Sequence, residues 1–145
     1  MSIEGVKQFL EGGQSHFSRH IGLKITSYSM EKIEGEIKTG PEHSNRAGVM
    51  HGGAIMTMAD TLGGVGTTAN LPEGSGTVTI ESKTNFFSAI PVGDTARAEC
   101  TPLHRGRTTM VWQTKVMRGD GKLAAIVTQT QLVLPPGSNH QSKNK

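Results

Sequence analysis

Asn45-Arg46-Ala47-Gly48-Val49-Met50-His51-Gly52-Gly53, continued by Ala54-Ile55-Met56-Thr57-Met58-Ala59-Asp60, is the stretch on which the fold turns. A polar loop ends in a glycine pair. An apolar segment starts there and carries one acid, Asp60, inside an otherwise uncharged run. Ala54, Ile55, Met58, Ala59 and Leu62 recur at three- and four-residue spacing, which predicts a helix over residues 51–69. The remaining positions are Ala, Thr and Gly in place of Lys and Glu. A helix with almost no charged face is expected to be wrapped by protein on most sides. Gly63, Gly64 and Gly66 each cost about 1 kcal/mol of helix propensity relative to alanine. Close approach of another backbone is the expected compensation.

The flanking sequence reads as strands. Ile33, Gly35 and Ile37 alternate with Lys32, Glu34, Glu36 and Lys38, the period of a half-buried strand within an extended stretch from Lys24 to Thr39. Gly40-Pro41 stops it. After the helix, Leu71-Pro72-Glu73-Gly74 breaks the chain. Val78, Ile80, Ser82, Thr84 and Phe86 then fall on one strand face, with Thr77, Thr79, Glu81, Lys83 and Asn85 on the other. Ala96, Ala98 and Cys100 alternate with Thr95, Arg97 and Glu99. Arg107 to Met117 and Leu123 to Leu134 pair through Arg118-Gly119-Asp120-Gly121-Lys122, whose Asp-Gly step is a hairpin signal. A short helix over Ile3–Phe17 is expected, weakened by Gly12-Gly13. The whole predicts one α+β domain over residues 1–134: a long buried helix against an antiparallel sheet of five or six strands. Residues 135–145 read as a disordered polar tail. A dimer would extend the sheet and cover an edge.

Composition narrows the function. At 145 residues and a formal charge of +3, the chain has no room for a separate cofactor domain and no long basic run. Nucleic acid is therefore not an expected partner. Cys100 is the single cysteine, so neither an intrachain disulfide nor a cysteine zinc site forms. His43, His51 and Asp60 have no recognised ligand spacing, and no metal or cofactor is expected. No apolar run approaches the roughly 20 residues of a membrane helix, and no signal peptide is recognisable, so a cytoplasmic protein with no membrane partner is expected. No serine lies in a Gly-x-Ser-x-Gly setting.

The chemistry concentrates at Gly52 and Asp60. The start of the helix offers backbone N–H groups to an oxygen, with the helix dipole behind them. Glycines at 52 and 53 let a bulky group approach those amides. Asp60 offers a base or nucleophile. A polarising donor and a carboxylate are two parts needed to hydrolyse an activated acyl group. They stand eight residues apart, roughly 12 Å along a helix axis. A reacting carbonyl must sit about 3 Å from its donor and near its attacker. One helix cannot easily bring both to one carbon, whereas two antiparallel helices from two subunits can. Burial in an apolar helix would disfavour the Asp60 charge, so hydrogen bonds or a partner's helix end must hold it. His51 reads as an N-cap-like positioning group, a ligand contact or a packing residue. Asn45 reads as a turn former or a site residue.

Asn45-x-x-Gly48-x-x-His51-Gly52-Gly53 followed by Asp60 resembles the signature of the hotdog-fold acyl-CoA thioesterases, in particular the phenylacetate-degradation subgroup. The order of elements matches from about Gly22 to Leu134. The resemblance implies a central helix swathed by a curved antiparallel sheet. It implies subunits joined sheet edge to sheet edge as a homodimer, often paired into a homotetramer, with the coenzyme A thioester bound at the subunit interface. It implies a catalytic set of Asp60, Gly52, His51 and Asn45. Gly52's amide would polarise the carbonyl, Asp60 would attack it or activate water, and His51 and Asn45 would orient the reacting groups. A hydroxyl on the next strand holds the water in that family, at Thr79 or one turn of register away at Thr77. Gly53 falls beside the acyl-CoA. The basic turn His104-Arg105-Gly106-Arg107 reads either as a coenzyme A phosphate site through Arg105 and Arg107 or as a solvated hairpin turn. The methionines line an acyl pocket or fill the core. Aromatic acetyl, medium-chain fatty and hydroxybenzoyl groups all remain open as the acyl moiety. A non-catalytic acyl-CoA sensor and an enoyl-thioester hydratase are the competing functions on the same fold.

Overall fold

The segment after His51, uncharged but for Asp60, is a 19-residue helix laid across one face of a six-stranded antiparallel sheet. The computed structural model describes Lys7 and residues 14–138. Its elements are α1 (His16–His20), β1 (Lys24–Tyr28), β2 (Ile33–Lys38), a 3-10 turn (Pro41–His43), α2 (Gly52–Asn70), β3 (Gly76–Phe86), β4 (Thr95–Arg105), β5 (Thr109–Met117) and β6 (Leu123–Leu134). The strand order is β1-β2-β4-β5-β6-β3. One long helix on one open antiparallel sheet is the arrangement the sequence pattern predicted, and it is that of the hotdog fold the resemblance implied. Most of the helix expected over Ile3–Phe17, and the tail from residue 139 onward, lie outside the described residues. No described helix is long and apolar enough to cross a membrane.

The buried face of α2 carries Ile55, Met58, Ala59, Leu62, Val65 and Ala69. It packs on Ile33 and Ile37 of β2, Trp112 and Val116 of β5, and Ala124 and Ala125 of β6. The glycines in this helix have a different cause from the one expected. Side-chain atoms are the nearest neighbours of two of them. A Cβ at Gly66 would stand 2.9 Å from the fully buried Trp112 ring, and one at Gly63 would strike the Gln129 carboxamide, while Gly64 faces open space. The helix is also less wrapped than expected. Met56 and Asp60 are exposed, and Gly53, Thr57, Thr61, Gly64 and Thr68 are only half-buried. Thr57, Thr61 and Thr68 satisfy their hydroxyls by donating to the carbonyls four residues back. An uncharged stripe can thus face away from the sheet without unpaired hydroxyl groups.

Two strand details position the site. The extended stretch 24–39 is a hairpin, β1–β2, turned by residues 29–32. There the Ser29 hydroxyl accepts from the backbone N–H groups of Glu31 and Lys32. The second detail corrects the face assignment on β3. Thr79 pairs with Gln131 and Glu81 with Thr130, so Ile80 is an extra residue, a β-bulge. Strict alternation puts Thr79 and Phe86 on opposite faces. The bulge brings both to the helix side, where Thr79 meets Asp60 and Phe86 covers Gly52. Val78 and Ile80 are left exposed.

Two outcomes follow from this packing. Gly66→Ala forces a methyl against Trp112 in a closed core, so urea unfolding should show a loss of about 1–3 kcal/mol. Cys100 on β4 is fully buried, and burial pushes its thiol from 9.0 up to about 11. The neutral thiol is the form the fold favours. Native protein at pH 8 should therefore react with a thiol reagent slowly, and denatured protein should titrate one thiol per chain.

Candidate active site

Asp60 projects from the third turn of α2 toward β3. Its Oδ1 accepts a hydrogen bond from the Thr79 hydroxyl at 2.8 Å. Oδ2 has no partner among the described residues. Thr79 in turn accepts from Gln131 Nε2 at 2.7 Å, and Gln131 Oε1 accepts from the Thr77 hydroxyl at 2.9 Å. Gln129, two residues earlier on the same face of β6, donates its Nε2 to the backbone oxygen of Asp60 at 3.3 Å. The carboxylate is exposed in the single chain, where burial by the helix had been expected. A hydroxyl from the sheet holds it. Of the two hydroxyls, Thr79 touches Asp60, and Thr77 stands behind Gln131.

Asp60 opens onto a cleft of about 260 Å3 walled by Ser18, Thr61, Gly64, Thr68, Thr77 and Gln131. A second cleft on its other side is lined by Phe17, Met56, Thr57 and Ser82. Among the described residues, Asp60 is the one ionisable side chain lining either cleft. Helix α1 forms part of both walls. Ser15 caps it by accepting from the Ser18 amide at 3.1 Å.

At the start of α2, His51 is the N-cap. Its Nδ1 accepts from the Gly53 N–H at 2.8 Å, which puts the proton of the neutral ring on Nε2. Gly53's amide is thereby engaged. The Gly52 N–H donates to no described residue, and Gly52 lines a cleft of about 410 Å3 together with Met50, Ile55, Phe86, Phe87, Ser88 and Ile90. Phe86 and Phe87 are 54% and 58% exposed. A side chain at 52 would collide with the Phe86 ring, at 2.9 Å from a Cβ. Position 52 is thus restricted by the protein itself as well as by any approaching group.

Asn45 folds the loop that carries His51. Its Oδ1 accepts from Ala47 N–H at 2.9 Å, an Asx turn, and its own N–H donates to Val49 O at 2.9 Å. Gly48, at φ +75°, allows the chain to turn back there. Met50 N–H and His51 N–H then bond Ile90 O and His43 O, anchoring the loop's end.

The basic turn divides. Arg105 reaches Glu31 with two bonds, Nη1–Oε1 at 2.8 Å and Nη2–Oε2 at 3.1 Å, and also bonds Asn70 Oδ1 and Met30 O. It ties the β1–β2 turn to the last residue of α2, the end opposite Gly52. Such an exposed ion pair contributes about 0–1 kcal/mol. Arg107 stays exposed in the turn. Sequence reasoning missed Gln131, Gln129 and Phe87. Two glutamines at alternate positions of a strand whose other inward residues are apolar were the available signal.

Comparison with known proteins follows the same lines. The family profile described as Thioesterase superfamily matches residues 47–125, a span that includes the glycine pair, Asp60 and Thr79. The chain belongs to the thioesterase superfamily. Membership assigns the reaction class, hydrolysis of a thioester. The chain is 29% identical to the proofreading thioesterase EntH of Klebsiella pneumoniae over 103 residues, 71% of this chain and 74% of that protein. It is similar in structure to thioesterase HI1161 of Haemophilus influenzae, with TM-score 0.83 and 24% identity over 97% of this chain and 95% of that one. It is also similar to a hypothetical thioesterase protein of Streptococcus pneumoniae solved with coenzyme A, with TM-score 0.72 and 24% identity over 79% and 87% of the two chains.

His51→Ala removes the cap from α2. Denaturant unfolding should lose about 0.5–2 kcal/mol, with the sheet signature in circular dichroism unchanged.

Proposed function

We propose that this thioesterase-superfamily member is an acyl-CoA thioesterase that releases a free acid and coenzyme A, with an active site completed by a second copy of the chain. The observation that carries the reading is the pairing of two half-sites on one helix. Asp60 is held with one carboxylate oxygen unengaged, and the Gly52 N–H is unengaged eight residues earlier. Roughly 12 Å of helix separates them, too far for one carbonyl. A partner helix running antiparallel sets Gly52 of one protomer beside Asp60 of the other.

The surface around these groups supports that assembly. β3 is an edge of the sheet, 11 residues long, with Val78 and Ile80 46% and 57% exposed. A long edge with apolar side chains is a template for a partner strand. The uncharged stripe on α2 and the exposed Phe86 and Phe87 lie on the same flank, and burying them on association is favourable. Pairing of such dimers into a tetramer is the further assembly that the family resemblance implies. The coenzyme A found in the pneumococcal neighbour supports an acyl-CoA as substrate.

In the proposed reaction the Gly52 amide donates to the thioester oxygen, and the positive end of α2 stabilises the charge that develops there. Either the unengaged oxygen of Asp60 attacks the carbonyl carbon, breaking the C–S bond to release coenzyme A thiolate and leaving an anhydride that water hydrolyses, or it takes a proton from the water that attacks, the C–S bond breaking and the proton passing to the departing thiolate. His51 keeps the helix start folded, and Asn45 holds the loop that presents it. Gly53 supplies space beside the acyl-CoA. Arg107 is the cation in the turn available for a coenzyme A phosphate, and Arg105 becomes available only if Glu31 releases it. The cytoplasm, where acyl-CoA is made and used, is the proposed location.

Purified protein mixed with aromatic, medium-chain and hydroxyaryl acyl-CoAs should release thiol. Asp60→Asn should lower turnover by about 10²–10⁴-fold at unchanged unfolding midpoint. Acyl-CoA binding without thiol release would instead indicate a sensor. Loss of enoyl absorbance without thiol release would indicate a hydratase. A monomer that is fully active at nanomolar concentration would sink the shared site.

A further inference from the structure

We infer that Gln131 is a positioning residue for the reaction: it fixes the direction of the Thr79 hydroxyl, and through it commits Oδ1 of Asp60 and leaves Oδ2 as the working oxygen. This rests on the acyl-CoA thioesterase reading above.

Counting protons gives the direction. The ionised Asp60 carboxylate only accepts, so the 2.8 Å contact uses the one hydroxyl proton of Thr79. Thr79 Oγ1 can then only accept from Gln131 at 2.7 Å, so the atom facing it must be Nε2. Turning the carboxamide over would set two acceptors at that distance with one proton for both Asp60 and Gln131. The upright orientation leaves Oε1 facing Thr77, whose hydroxyl shares its proton between Oε1 at 2.9 Å and Leu132 O at 3.1 Å. Every donor in the chain Thr77, Gln131, Thr79 points toward Asp60. Hydrogen bonds aligned head to tail polarise one another and strengthen the last of them.

The surroundings make this arrangement stiff. Gln131 is 1% exposed, on the inward face of β6 beside Gln129. Thr79 and Gln131 are direct register partners across β3 and β6, just before the Ile80 bulge. The donor, the relay and the bulge are therefore one unit of sheet. Thr79, with its proton committed, cannot also donate to a water. A water or thioester near Asp60 meets Oδ2, the oxygen of this carboxylate that has no partner among the described residues.

The role is separable from simple packing. Gln131→Met keeps length and removes both polar ends. It should lower kcat about tenfold, the scale of one net hydrogen bond, and leave KM within about twofold, the sign of an interaction made only in the transition state. Gln131→Glu keeps the acceptor for Thr77 and replaces the donor with a like charge near Asp60. The acidic limb of its kcat profile should move to higher pH relative to wild type. A fall in unfolding midpoint with wild-type kcat and an unmoved acidic limb would overturn the role and leave Gln131 structural. Should neither variant fold, Thr77→Val decides. A lower kcat at unchanged KM supports the relay, and an unchanged kcat overturns it. A wild-type protein that releases no thiol from any acyl-CoA would sink the thioesterase reading and this inference with it. A wild-type protein that hydrolyses normally beside unimpaired Gln131 variants sinks the inference alone.

Discussion

A carboxylate on an otherwise uncharged helix must find its hydrogen bonds elsewhere, and here it finds them on the sheet. The 2.8 Å bond from Thr79 to Asp60 joins the two layers through the helix's one charged side chain. Much of the local architecture serves it. Gly63 lets the Gln129 amide lie against the helix and bond the Asp60 carbonyl. Gly66 lets Trp112 fill the core behind it. The helix is held close to the sheet along that line, and a short side chain such as threonine can then span the gap.

The helix, its start and its acid were legible because each depends on local sequence. Spacing of Ile55, Met58 and Leu62 gives the buried face, and His51-Gly52-Gly53 gives a cap and a bare N-terminus. The strands after Gly76 were legible for the same reason, through alternation and the Asp120-Gly121 turn. What escaped was set by partners distant in the chain. The Ile80 bulge exists only relative to β6, and nothing in Thr79-Ile80-Glu81 marks it. The Ser29–Lys32 turn carries no glycine and closes through a serine hydroxyl. Arg105 reads as a free basic turn because Glu31 and Asn70, its partners, are 74 and 35 residues away.

The candidate site divides in the same way. Gly52, Asp60 and His51 could be picked by type and position, and their placement follows from one helix. Gln131 could not, because a glutamine on a strand has no meaning until its neighbour across the ladder is known. The helix stripe facing away from the sheet was misjudged for a related reason. Its lack of charge reads as contact, and among the described residues much of it stays half-exposed. A surface of Gly, Thr and Met around a lone acid suits covering by another protein body better than bulk water.

The strand order has a temporal side. β3 has a single neighbour in the sheet, and that neighbour is β6, the last strand described. Until residues 123–134 are in place, residues 76–86 have no ladder to join, and the threonine that grips the acid has no backbone to hold it. The candidate site is thus tied to a long-range pairing, residues 76–86 with 125–134, the kind of closure that comes late when a chain organises itself. Partly folded forms should retain the helix and the β4–β5 hairpin while remaining chemically silent.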